Sequence, residues 1–137
     1  MSTTTPINPR EMVKPRGYSH GMLSPPGRML AIAGQIGCDS DGKVTLKDFA
    51  SQFGRALSFV LSVLHEAGGV PTDLIALRIF VTDKKLYLAQ TKEIGLTYRE
   101  LMGEHYPAMS LVQVADLLEP GALVEIEGLA ALPEAQP

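Results

Sequence analysis

The chain has 137 residues, of which 45% are hydrophobic and 20% charged, values typical of one globular domain with a single core. The formal net charge of −3 and the absence of long Lys/Arg runs argue against nucleic-acid binding, because such surfaces usually carry a basic patch. The single cysteine, Cys38, excludes an internal disulfide. No apolar stretch approaches the roughly 18 residues of a membrane span. We expect one cytoplasmic domain over residues 1–137, with an ordered core over residues 8–132.

The first predicted element is a β-hairpin. A strand over residues 18–23 leads into the turn sequence SPPG at 24–27, and an almost continuous apolar run follows at 29–36. Because this run is apolar on both faces, it predicts a strand that is buried on both faces.

A helix follows over residues 49–67. Thr45 and Asp48 have the spacing of a capping box, and Gly68 begins a glycine pair that ends helices. Apolar residues recur between them at helical spacing, while Gln52 lies off this stripe. The pattern predicts an amphipathic helix with one apolar face.

The second half of the chain predicts a strand at 74–81, a helix at 85–103 and strands at 108–114 and 122–132. Thr82 and Asp83 can cap this helix, and Gly95 weakens its middle. Two helices of this length can cover one face of a mixed sheet. The order of elements therefore predicts an α+β two-layer sandwich.

Alternation along the last predicted strand gives its two faces different characters. Val124, Ile126, Gly128 and Ala130 form an apolar face, whereas the opposite face carries Leu123, Glu125, Glu127 and Leu129. The mixed face suits a subunit interface or a cleft, so we expect an oligomer. Glu125 and Glu127 are suited either to acid–base chemistry or to structural ion pairs, and periodicity does not choose between these roles.

Several common active-site patterns are absent. His20, His65 and His105 lie far apart in sequence without the spacing of metal ligands, so no metal site is predicted. Ser110 lacks the context of a nucleophile elbow, and the glycine motifs match neither a phosphate loop nor a dinucleotide fingerprint.

Five segments together resemble the Rid family, also called YjgF or endoribonuclease L-PSP. They are RGYSH at 16–20, AIAGQI at 31–36, FVTD at 80–83, PAMS at 107–110 and VEIE at 124–127. The resemblance implies a chorismate-mutase-like fold and a homotrimeric barrel with clefts between adjacent subunits. It also implies hydrolysis of 2-imino acids to 2-keto acids and ammonia without a cofactor.

The resemblance assigns Glu125 the role of orienting the attacking water. It assigns ligand contacts to Tyr18, Ala33, Gly34, Met109 and Leu111. Family members with deaminase activity carry arginine at the position of Met109, where its guanidinium holds the substrate carboxylate. Methionine offers only a neutral thioether, so we expect little activity on the imines of small 2-amino acids. Arg16 and His20, which flank Tyr18, are candidates for a replacement charge, or are surface residues.

Three functions remain open from the sequence. The first is a divergent trimer that binds a small carbonyl, imine or enamine compound and hydrolyses a non-standard imine or enamine. The second is a trimer that binds or senses a small molecule without catalysis. The third is a ribonuclease, which the acidic balance of the chain disfavours.

Overall fold

A computed structural model describes residues 4–134. The elements, in chain order, are β1 (Thr5–Ile7), β2 (Gly21–Leu23), β3 (Gly27–Ile36), α1 (Phe49–Glu66), β4 (Leu74–Val81), α2 (Lys84–Ala89), α3 (Thr91–Met102), β5 (Ala108–Gln113) and β6 (Val124–Pro133), with a short 3-10 turn before β4 at Pro71–Asp73. Strand β1 precedes the predicted start of the core near residue 8. Residues 1–3 and 135–137 of the predicted domain lie outside the described residues.

Four strands form the main sheet in the order β3-β6-β4-β5. Strands β4 and β5 are parallel, and the other neighbouring pairs are antiparallel. Helix α1 packs on β3 and β6, and α3 packs against α1. Side chains such as Leu57, Leu77 and Ile126 are completely buried between the layers. The predicted α+β architecture, with a mixed sheet and helices against one face, is confirmed.

The predicted hairpin at 18–36 is wrong. Strand β2 pairs with β1 in a separate two-stranded sheet, whereas β3 pairs with β6 at the edge of the main sheet. The prediction that β3 is buried on both faces is also wrong for this chain. Ile32 on its helix side is buried, but Met29 on its other side is 59% exposed.

Helix α1 begins at a different cap from the predicted one. The carboxylate of Asp48, rather than the hydroxyl of Thr45, accepts hydrogen bonds from the backbone N–H and the hydroxyl of Ser51. Gln52, predicted off the apolar stripe, is completely buried. The side-chain amide can be buried because it forms hydrogen bonds with three backbone groups of the neighbouring loops.

The single predicted helix at 85–103 is two helices, so residues 4–134 contain three α-helices rather than the predicted two. The break falls at Gln90, whereas Gly95, which was predicted to weaken the helix, lies inside α3. The side chain of Gln90 accepts a hydrogen bond from the Ala50 N–H in the first turn of α1 and donates to Asp48 and Glu93. The bond from Ala50 satisfies one of the N–H groups that the first turn of a helix leaves without a partner inside the helix. Local sequence patterns do not reveal this bond, because its two residues are 40 positions apart.

The predicted alternation of β6 is confirmed. Val124 and Ile126 are completely buried on the helix side, whereas Glu125 and Glu127 are half-buried on the other side. No helix of the described chain lies over this second face, on which Val112 of β5 is 45% exposed. We refer to it as the open face of the sheet.

Candidate functional site

A cavity of about 470 Å³ lies at the β5 edge of the sheet, on the side of the helices. Its apolar and aromatic walls come from both layers and from the segment before β2. The residues are Tyr18, Phe53, Ile79, Tyr87, Ile94, Tyr98, Tyr106, Met109 and Leu111. Arg16, Gly17, Thr91, Gly95 and Arg99 complete the lining. The volume and composition suit a small organic ligand.

Backbone pairing holds Tyr18 at this cavity. The next residue, Ser19, bridges to Ala108 at the start of β5, and its N–H donates to the Pro107 carbonyl at 3.1 Å. The Ser19 hydroxyl also donates to the carbonyl of Tyr106. The segment around Tyr18 therefore extends the sheet beyond β5 and closes one side of the cavity.

The aromatic wall at α3 is built around Tyr98. Its ring stacks on that of Tyr106 with 5.2 Å between centroids, and its hydroxyl donates to the His105 carbonyl at 2.7 Å. Burial, and secondarily the neighbouring Tyr106, raises the pKa of Tyr98. The hydroxyl therefore keeps its proton at neutral pH, and Tyr98 supplies an uncharged surface rather than an acid–base group.

Strand register places Met109 and Leu111 on the floor of the cavity. Met109 lies opposite Leu77 of β4, and Leu111 lies opposite Ile79. Both partners are buried beneath the helices, so the two β5 side chains also point towards the helix side. Three of the residues indicated by the family resemblance, Tyr18, Met109 and Leu111, thus line one cavity.

The other indicated residues lie on the open face. The pairing of β3 with β6 shifts register between Ile32 and Gln35, which places Ala33 and Gly34 in a bulge. A Cβ at Gly34 would lie 2.6 Å from Oε2 of Glu125, so the missing side chain is what allows the carboxylate to lie against this backbone. Within one chain, the sheet separates this Gly34–Glu125 pair from the cavity.

The two carboxylates of β6 have different surroundings. Glu127 forms an ion pair with Arg78 at 3.5 Å, which supports the structural interpretation for this residue. Within residues 4–134, Glu125 has no ion-pair partner. Of the two, Glu125 is therefore the carboxylate that remains free to contact a ligand or water.

Only one of the two candidates for a replacement charge reaches the cavity. Arg16 lines it, whereas the His20 ring packs edge-on against Tyr18 and its Nε2 lies 2.7 Å from the Val13 carbonyl. Sequence reasoning missed Arg99, a second cation in the lining. The spacing of Gly95 and Arg99 was a usable signal, since residues four apart share a helix face.

Nowhere in residues 4–134 do three His, Cys, Asp or Glu side chains meet in a way that could hold a metal ion. No helix within that range is long and apolar enough to cross a membrane.

Comparison with known proteins identifies the family. The sequence model of the family described as Endoribonuclease L-PSP matches residues 10–132. The chain belongs to this family, which is also known as Rid or YjgF. A RutC family protein of Pyrococcus abyssi is 30% identical over 105 residues, which span 76% of this chain and 79% of that protein.

Solved structures of Rid proteins share the fold. The crystal structure of YyfB from Yersinia pestis, described as a Rid protein of unknown function, superposes with a TM-score of 0.84 at 32% identity, covering 94% of this chain and 98% of that one. The YjgF gene product of E. coli superposes with a TM-score of 0.63 at 28% identity, covering 83% and 87% of the two chains.

Proposed function

We propose that this Rid-family chain forms a homotrimer that hydrolyses a small imine or enamine, using the cavity of one subunit and the Gly34–Glu125 pair of its neighbour. The observation that carries this proposal is the environment of Glu125. Its carboxylate lies against Gly34 without an ion-pair partner, on a sheet face that the chain leaves uncovered. A neighbouring copy that covers this face would bring its own cavity to the carboxylate.

The chemistry needs a water molecule, a base and a way to hold the substrate. The Glu125 carboxylate accepts a proton as the water oxygen attacks the imine carbon, the π electrons of the C=N bond move to nitrogen, and Glu125 then gives this proton to the nitrogen. In the resulting carbinolamine, Glu125 passes the hydroxyl proton to the nitrogen, the C–N bond breaks and ammonia leaves as the C=O bond forms. An enamine first becomes the imine by moving its N–H proton to carbon. General base catalysis of this kind contributes roughly 10²- to 10⁴-fold in rate. Every atom is supplied by substrate and water, so the reaction as written uses no cofactor.

Met109 bears on which substrates are accepted. The arginine that the family resemblance places at this position would bind a carboxylate at the floor of the cavity, and methionine cannot. We therefore expect weak activity on imines of small 2-amino acids and better activity on larger, more apolar imines or enamines.

A binding protein without catalysis is the second candidate, and the apolar and aromatic walls of the cavity favour it. The ribonuclease activity in the family description finds less support here. The net charge is −3, and within residues 4–134 the cavity walls include only two cationic residues, Arg16 and Arg99.

The test compares Glu125→Gln with Glu127→Gln, because both remove a carboxylate from the same face of β6. An amino-acid oxidase generates the imines of leucine or phenylalanine within the assay mixture, and the release of ammonia is measured with and without the protein. We expect Glu125→Gln to lower the rate at least about 100-fold and Glu127→Gln to change it little. Equal effects would refute the assignment of Glu125. No acceleration by wild type, together with ligand binding, would favour the second candidate.

The assembly is tested separately by sedimentation equilibrium at micromolar concentration. A trimer is expected, because the Glu125 carboxylate and the cavity lie on opposite sides of the sheet in one chain. A monomer would remove the basis for a shared cleft.

A further inference from the structure

Two arginine residues line the largely apolar cavity. Arg16 reaches it from the segment before Tyr18, and Arg99 from α3. Within residues 4–134 neither arginine forms an ion pair, whereas Arg78 on the open face is paired with Glu127. A cavity with two cations and no carboxylate in its lining is electrostatically complementary to an anion.

Gly95 leaves space for the Arg99 side chain. The two residues are four apart on α3, so they share one face of the helix. A Cβ built at Gly95 would have Nη1 of Arg99 as its nearest neighbour, at 3.7 Å. The guanidinium therefore lies beside the bare backbone at residue 95, where a longer side chain would compete for the same space.

We propose that Arg99, assisted by Arg16, binds the anionic group of the ligand, and that the ligand is an amphipathic carboxylate. The planar guanidinium fork matches a carboxylate in geometry. The remaining walls are aromatic and aliphatic, so the part of the ligand that contacts Met109 and Leu111 is apolar.

This proposal rests on the proposed function, since it takes the cavity as the ligand cleft, and it names the class of substrate. Arg99 holds the carboxylate at the α3 wall of the cavity rather than at its β5 floor. A ligand must then carry an apolar body that reaches from this wall to Met109. The structure thus favours imines or enamines of larger apolar acids, which retain their charge.

The test uses two fluorescent probes with the same aromatic body. One is 8-anilinonaphthalene-1-sulfonate, an anion, and the other is the neutral N-phenyl-1-naphthylamine. Each is titrated into the full-length protein and into Arg99→Gln, Arg99→Lys and Arg28→Gln. Arg28 is a matched control because it lies on β3, at the opposite edge of the sheet from the cavity. Gly95→Leu reports whether the probes occupy the cavity, since a Cβ fits there without a clash.

We expect Arg99→Gln to raise the Kd of the anionic probe about tenfold or more, because a hydrogen-bonded charge partner is lost. The Kd of the neutral probe is expected to stay within about twofold, since its contacts are apolar. Arg99→Lys is expected to be intermediate, Arg28→Gln neutral, and Gly95→Leu weaker for both probes.

Two outcomes would overturn the proposal in different ways. If Arg99→Gln affects both probes equally or neither, the anion is not bound by Arg99, while the cavity remains the proposed ligand cleft. If wild type binds neither probe, the cavity is not a ligand site, and the proposed function fails with it.

Discussion

Replacing Gln52 by leucine is expected to destabilise the fold severely, although Gln52 is not one of the residues that line the cavity. Its amide nitrogen donates to the carbonyls of Leu46 at 2.9 Å and Gly121 at 3.0 Å. Its amide oxygen accepts from the Leu123 N–H at 2.8 Å. One completely buried side chain thus ties α1 to the loop before it and to the start of β6.

The expected loss follows from the three partners left behind. Leucine has a similar volume but no polar atom, so three backbone groups lose their hydrogen-bond partner. Each of these part-buried groups costs about 1–3 kcal/mol when it is left unsatisfied. Burying the leucine side chain returns about 1.5–3 kcal/mol. The net destabilisation is on the order of 3 kcal/mol, a large fraction of the roughly 5–15 kcal/mol that stabilises a typical domain.

Thermal unfolding followed by circular dichroism measures the effect at one fixed protein concentration, because self-association also contributes to stability. A loss of about 3 kcal/mol is expected to lower Tm by on the order of 10 °C. Gln113→Leu is the matched control, since exposed Gln113 accepts a hydrogen bond from the Lys84 N–H, which water can also satisfy. If the two variants lower Tm equally, or Gln52→Leu leaves it unchanged, the buried amide does not have the structural role assigned to it.

Two further predictions follow from individual contacts. Gly34→Ala is expected to abolish imine hydrolysis with little loss of stability, because the new Cβ displaces the Glu125 carboxylate, whereas Gly37→Ala meets the backbone of α1 at 2.8 Å and is expected to lower Tm. Retained activity in Gly34→Ala would contradict the role of Glu125. Hydrogen bonds from Gln90, and secondarily from Ser51, hold the pKa of Asp48 below its ordinary value of 3.8. The charged Asp48 therefore stabilises the folded state at pH values above 3.8, and this stabilisation is lost as the pH falls through the lower pKa of the folded state. Asp48→Asn is thus expected to make the stability against urea less dependent on pH in this acidic range. If the stability of Asp48→Asn against urea depends on pH as strongly as that of wild type, Asp48 does not supply this stabilisation.

Local patterns predicted the strands of the main sheet and helix α1 well. Helix α1 and strand β4 have the predicted extent within a residue or two, because apolar periodicity and flanking glycine or proline mark them within the sequence itself. The alternation along β6 also fixed which of its side chains meet the helices. The family resemblance indicated the candidate site residues, and membership of the family is confirmed.

Local sequence patterns did not predict the contacts between segments that are distant in the sequence. The turn sequence at 24–27 indicated a hairpin, yet β2 pairs with β1 and β3 pairs with β6. The helix break at Gln90 depends on hydrogen bonds to residues about forty positions earlier. Both features depend on partners that come close only after the chain has folded.

The sequence by itself indicated the family, through its resemblance to known members, and it determined the α+β class and the alternation of β6, since these follow from residue types and their spacing. Only the tertiary structure decided that Met109 and Glu125 lie on opposite sides of the sheet, and that Arg99 reaches the same cavity as Met109. The physical reason is strand register. Alternation fixes the two faces of one strand relative to each other, but only the pairing of β4 with β5 and β6 fixes which faces of different strands coincide.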